Sequence, residues 1–115
     1  TFLGGNMKDP KKVRQGRRNR QRGAELQRYA VRTAKEVGLE AYNRDRGGAQ
    51  HELGDIEIEG KWYGCKRRKT IASWLKPEKQ EDGVVIREDR GKAMMVIDYD
   101  KFVWMLSIVK EKLDV

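Results

Sequence analysis

Gly54-Asp55-Ile56-Glu57-Ile58-Glu59-Gly60-Lys61-Trp62-Tyr63-Gly64-Cys65-Lys66-Arg67-Arg68-Lys69 is the stretch on which the reading of this chain turns. Asp55, Glu57 and Glu59 alternate with Ile56 and Ile58, the period of a strand with one polar and one apolar face. Gly60 supplies the backbone freedom that a tight hairpin turn needs, and Trp62 to Lys66 forms the returning strand. Pairing the two arms brings an acid at the start of the first strand to the same end as a lysine closing the second.

Upstream, Leu26, Ala30, Thr33 and Val37 fall at the spacing of one buried helical face, which predicts a helix over Asn19–Val37 with Gly38 as its C-cap. Arg20, Arg28, Arg32 and Lys35 of that helix stay wet or meet phosphate. Leu39–Arg46 reads as a first strand. Gly47 to Glu52 reads as a loop, and its His51, the one histidine of the chain, reads as a solvated side chain.

Downstream, Thr70–Leu75 reads as a helical turn or short helix ended by Pro77. Val84–Arg87 and Ala93–Asp98 make a second hairpin, and their continuous apolar runs predict strands buried on both faces. A last helix spans Tyr99–Leu113 with Asp98 as its N-cap. Phe102, Met105, Leu106 and Val109 form one stripe on it, and Val103, Trp104 and Ile108 widen that stripe. One face closes the core. The remainder calls for a partner subunit, or else belongs to a wide core-facing stripe with some exposed residues. The element order predicts an α/β fold, a mixed central sheet flanked by helices.

The 115 residues, 37% of them hydrophobic, suit one domain with a modest core. No run of about 18 apolar residues spans a membrane, and no secretory signal is present. One cysteine, Cys65, rules out an internal disulfide and points to a reducing, cytoplasmic setting. Met7 reads as a native start, so Thr1–Asn6 is either a non-native leader or a disordered native arm. Residues 1–16 read as a flexible basic arm and 17–115 as the domain. Residues 8–46 hold thirteen Lys and Arg against five Asp and Glu, whereas 47–115 hold thirteen of each, so the net charge of +8 resides in the N-terminal part. Seven cations and no acid lie between Lys11 and Arg22. Such a run is either a solvated arm or a phosphate-binding one, and no aromatic stacking pattern of a single-strand binder accompanies it.

Gly54-Asp55 followed by Lys66 on the next strand, with Glu25 in Gly23-Ala24-Glu25 on the preceding helix, resembles the PD-(D/E)XK nuclease superfamily. More narrowly, it is similar to the archaeal-type Holliday junction resolvases and their phage-encoded relatives. The likeness spans roughly Arg17 to Leu113, although its motifs are short. It implies a metal-dependent endodeoxyribonuclease, with Mg2+ (or Mn2+ in its place) activating water for phosphodiester hydrolysis. By position, Asp55 would ligate the metal together with the Cys65 carbonyl. Glu25 would support the metal or its water, and Lys66 would be the catalytic cation. On the same likeness the protein is a homodimer cutting opposed strands of a four-way DNA junction, in the host cytoplasm if phage-encoded. Lys11, Lys12, Arg14, Arg17, Arg18, Arg20 and Arg22 would contact phosphate, and Arg44, Arg46, Arg67, Arg68 and Lys69 are further expected DNA contacts.

One position departs from the pattern. Where the family carries acid-any residue-lysine, this chain has Gly64-Cys65-Lys66, and a glycine offers no side-chain ligand. Gly64 is an introduced change, a natural one compensated by Glu57 or Glu59 from the neighbouring strand, or the mark of a binder that has lost cleavage. On chemistry alone the chain as it stands is expected to be inactive or strongly impaired. The alternative functions are a same-fold nuclease acting on another DNA structure and a non-catalytic basic nucleic-acid-binding module.

Overall fold

The hairpin forms where the alternation puts it. A computed structural model describes residues 10–44 and 54–113, with only the backbone described for 10–22. β2 (Ile56–Ile58) and β3 (Lys61–Tyr63) pair antiparallel, with Ile56 opposite Tyr63 and Ile58 opposite Lys61. Glu59 and Gly60 join them with φ of 50° and 78°, the two positive values that a two-residue I′ turn requires. β1 (Ala41–Asn43) adds to the other edge of β2, giving the order β1-β2-β3. It is shorter than the strand expected over Leu39–Arg46, and Arg46, His51 and the loop between them lie outside the described residues.

α1 runs Pro10–Glu36, nine residues ahead of the expected Asn19. It takes in residues 10–16, which the sequence reading gave to a flexible arm. Proline is suited to the first helical position, where its fixed φ is already helical and its missing N–H costs nothing. The Lys, Arg and Gln side chains that follow are good helix formers. The helix stops at Gly38 by a Schellman motif: Leu39 N–H donates to the Ala34 carbonyl at 3.0 Å and Gly38 N–H to the Lys35 carbonyl at 3.0 Å. Its buried face is Gln27, Ala30, Val31 and Ala34, rotated about one residue from the predicted stripe, so Leu26, Thr33 and Val37 sit at its edges. Small side chains at Ala30 and Ala34 let the helix lie close on Ala41, Ile56 and Ile58.

α2 (Tyr99–Leu113) closes the core from the other side. The Asp98 carbonyl accepts the Phe102 N–H at 3.0 Å, which makes Asp98 the N-cap residue, as expected. Val103 is fully buried, and Tyr99, Phe102 and Leu106 pack around it. Met105 and Val109, placed on that stripe by the sequence pattern, are exposed instead, together with Trp104 and Leu113. The inward face follows 99, 102, 103 and 106, and the outward one follows 105 and 109. Tyr99 fastens the helices, its hydroxyl donating to the Ala30 carbonyl at 2.6 Å; burial pushes its pKa up to about 12. Beside it, the Tyr29 hydroxyl donates to the Asp100 carboxylate.

β4 (Val84–Ile86) and β5 (Met94–Val96) form a separate antiparallel pair. The expected mixed central sheet is therefore corrected: among the described residues every strand pair is antiparallel, in two small sheets. Parallel pairing needs a crossover of a dozen or more residues, and the short 87–93 connection returns β5 onto β4 instead. Nor are these strands buried on both faces. Val85, Met94 and Met95 are exposed, because neither helix packs across them. The class remains α/β. Ser73–Leu75 forms a 3₁₀ turn shortly before Pro77, in line with the sequence. Among the described residues no helix is long and apolar enough to cross a membrane.

Candidate functional site

The open end of the β2–β3 hairpin gathers the residues singled out in the sequence. Asp55 stands just before β2, its N–H donating to the Tyr63 carbonyl at 3.0 Å and its carbonyl accepting the Arg44 N–H at 3.0 Å. The side chain is 5% exposed, and Oδ2 accepts the Cys65 N–H at 2.7 Å. Gly54 makes this approach possible. With φ at 153°, any Cβ there would sit 3.3 Å from the Tyr63 carbonyl oxygen.

Gly64 is a glycine of a different kind. Its φ is ordinary, and a Cβ built on it would lie 3.9 Å from Asp55 Oδ2 and 3.8 Å from Lys66 Cε, at normal contact distances. A side chain at 64 fits without strain and enters between the acid and the lysine. Lys66 itself is exposed. The Cys65 thiol is half-buried; burial, reinforced by the Asp55 charge, pushes its pKa up to about 11 and outweighs the opposite pull of Lys66. At neutral pH it is a thiol, so only the backbone of Cys65 is available as a hard donor.

Glu25 reaches this end of the molecule from α1. It is exposed, and Arg67 Nη1, on the residue after Lys66, donates to its Oε2 at 3.1 Å. The fold therefore brings Asp55, Gly64 and Lys66 together, with Glu25 joined to the group through Arg67. The other two carboxylates of the hairpin are committed elsewhere. Glu57 Oε1 accepts both Nε and Nη2 of Arg44, at 2.9 and 2.7 Å, while that guanidinium lies 4.5 Å over the Tyr42 ring. Glu59 is at the turn, roughly 13 Å along the strand from Asp55. Its Oε2 accepts the Glu40 N–H at 2.6 Å and Lys110 Nζ at 2.9 Å. Those two contacts, the backbone donor first, hold its pKa below the usual range. Compensation of Gly64 by Glu59 is excluded by this geometry, and Glu57 would have to leave Arg44.

Among the expected DNA contacts, Arg44 and Arg67 are already ion-paired, whereas Arg68 and Lys69 are exposed. Lys11, Lys12, Arg14, Arg17, Arg18, Arg20 and Arg22 belong to the α1 backbone, and their side chains lie outside the described residues. The two ion pairs escaped the sequence reading because their partners are 13 and 42 residues apart, with no spacing rule to link them.

As the chain stands, these groups do not fit a magnesium ion. Mg2+ asks for near-octahedral oxygen ligation, and the end of the hairpin offers one carboxylate and one carbonyl. Among the described residues no three His, Cys, Asp or Glu side chains converge to hold a metal ion. No protein-family model matches the chain, and no curated protein or solved structure matches it either.

Proposed function

We propose that this protein is a homodimeric, cytoplasmic DNA-binding protein of the structure-selective endonuclease type, reading four-way junctions, whose cleavage centre lacks one carboxylate at Gly64. The observation that carries the reading is the room left at that position. A side chain there would lie against both Asp55 and Lys66, the spatial relation that acid-any residue-lysine chemistry uses. Glu25, drawn to the same end by Arg67, supports it. With a glutamate at 64, three carboxylates and the Cys65 carbonyl would be available to Mg2+ or Mn2+, which would supply activated water. Lys66 would then stabilise negative charge on the phosphate. Trp104, Met105 and Val109, exposed on α2, support a second copy as the partner of that face.

The same glycine favours a second reading, a non-catalytic nucleic-acid-binding module. Cleavage of a labelled four-way junction, with and without Mg2+, by this chain and by Gly64→Glu separates the two. Metal-dependent cutting by the glutamate variant alone is the expected result. Cutting by both at similar rates would sink the disabled-site reading. Junction binding by both with cutting by neither would favour the binder. Competition between branched and linear DNA then decides whether another structure is the true target.

A further inference from the structure

A groove of about 470 Å³ runs between the C-terminal half of α1 and the end of β1, lined by Arg28, Val31, Arg32, Lys35, Glu36 and Asn43. Its cations differ from the four described cations that hold a carboxylate. Arg44, Arg67, Lys101 and Lys110 are each paired with a carboxylate at 2.7–3.1 Å. Arg28, Arg32 and Lys35 form no salt bridge among the described residues, although Glu36 shares the groove, and all three are exposed. The Arg32 guanidinium lies 5.8 Å from the centre of the Tyr29 ring. Three unpaired like charges crowded on one face repel one another, and a polyanion relieves that repulsion by releasing its own counterions.

We infer that this groove binds the phosphate backbone of a nucleic acid along α1. The inference rests on the nucleic-acid reading above but not on cleavage. From Arg28 to Lys35 the helix rises about 10 Å, which spans about three phosphates of one strand at ~3.4 Å of rise each. Glu25 lies one turn before Arg28, so a strand passing the Asp55–Lys66 end continues naturally onto the groove. The same helix also carries the cation-only run from Lys11 to Arg22. A membrane surface is disfavoured, because interfacial helices set large apolar side chains beside their cations. Among the described residues none of the exposed large hydrophobics lies on α1.

The test uses the full chain without metal and two triple variants of equal charge change. Arg28→Gln, Arg32→Gln and Lys35→Gln together remove the groove's cations. Lys76→Gln, Lys79→Gln and Lys92→Gln together remove three exposed lysines elsewhere. Circular dichroism checks that each variant folds, and fluorescence anisotropy against a labelled junction over a salt series reads affinity and its salt slope. The groove variant is expected to bind at least about 10-fold more weakly at moderate salt, with a log–log slope shallower by roughly 2–3; the control stays within about 2-fold of the parent. Equal losses in both variants, or none in either, overturn the inference while leaving the nucleic-acid reading intact. If the parent binds no junction, duplex or single strand but binds phosphatidylserine vesicles through these residues, both fall. A lost affinity in the groove variant, in a protein that never cuts even with Gly64→Glu, upholds the groove and removes only the nuclease.

Discussion

The two ends of the β2–β3 hairpin are built to opposite specifications. At the turn, Glu59 is satisfied twice, by the Glu40 N–H and by Lys110, and the backbone is locked by paired positive φ values. At the open end, a buried carboxylate holds one backbone donor, a glycine leaves space where a side chain fits, and a lysine stands in solvent. Charge at the turn is spent on closing the structure. Charge at the open end is less tied down, and a buried carboxylate beside an exposed lysine is where chemistry is to be sought. The contrast teaches that a carboxylate's sequence neighbours say less about its role than the donors folded against it.

The largest effect belongs to the open end. In the Gly64→Glu background, Asp55→Asn should lower Mg2+-dependent junction cleavage by ~10²-fold or more, the scale of losing a preorganised charged group. Single-turnover kinetics would read it, and a loss under threefold would remove Asp55 from the reaction. The contrast is sharpened by making one substitution at both ends. Gly60→Ala should cost about 1–2 kcal/mol in urea unfolding, because nothing crowds the new methyl but the left-handed backbone strains it. Gly64→Ala should stay within about 0.5 kcal/mol of the parent, or stabilise slightly, since its backbone and space both accept a side chain. Equal costs at the two sites would erase the distinction drawn here.

A smaller effect carries a pH signature. Glu59→Gln should destabilise by about 1 kcal/mol at pH 7, a charged hydrogen bond discounted for partial exposure. The Glu59 pKa is depressed in the folded state below its ordinary 4.5. Its contribution is therefore complete above about pH 4.5 and disappears as the pH falls through the lower, folded value. Urea midpoints of parent and variant should converge on acidification, and a gap that stays constant from pH 7 to 3 would assign it to packing. Smallest of all, Trp104→Ser should change stability by no more than about 0.5 kcal/mol, since the ring is exposed. Its effect should instead appear in the sedimentation of a self-associating protein.

Much of the fold was legible where local chemistry decides it. The Ile56–Ile58 alternation, Gly60 at the turn, Gly38 after α1 and Asp98 before α2 are all short-range signals, and the structure follows each. The rest depended on what packs against what. Val84-Val85-Ile86 reads as an interior strand, yet continuity of apolar residues does not supply a second layer to cover them, and Val85 is exposed. Pro10 opens a helix rather than lying within a flexible arm, a distinction set by the good helix formers after it. At the candidate site, Asp55, Gly64 and Lys66 were found by position, although β3 ends at Tyr63 and all three flank the paired strands rather than lie on them. The commitments of Glu57, Glu59 and Glu25 were not, because Arg44, Lys110 and Arg67 reach them across the fold.

The place of α2 in the chain has a consequence for synthesis. Val103 completes the core, and Tyr99 bonds to Ala30 across 69 residues, with the whole β4–β5 excursion made in between. While the ribosome is still elongating that excursion, the core of α1 against Ile56 and Ile58 lacks the cover that Val103 and Phe102 give it. The nascent domain must wait for α2 before its core is complete, and any pause before α2 emerges leaves the Val103-facing side of that core open to chaperones or to neighbouring chains.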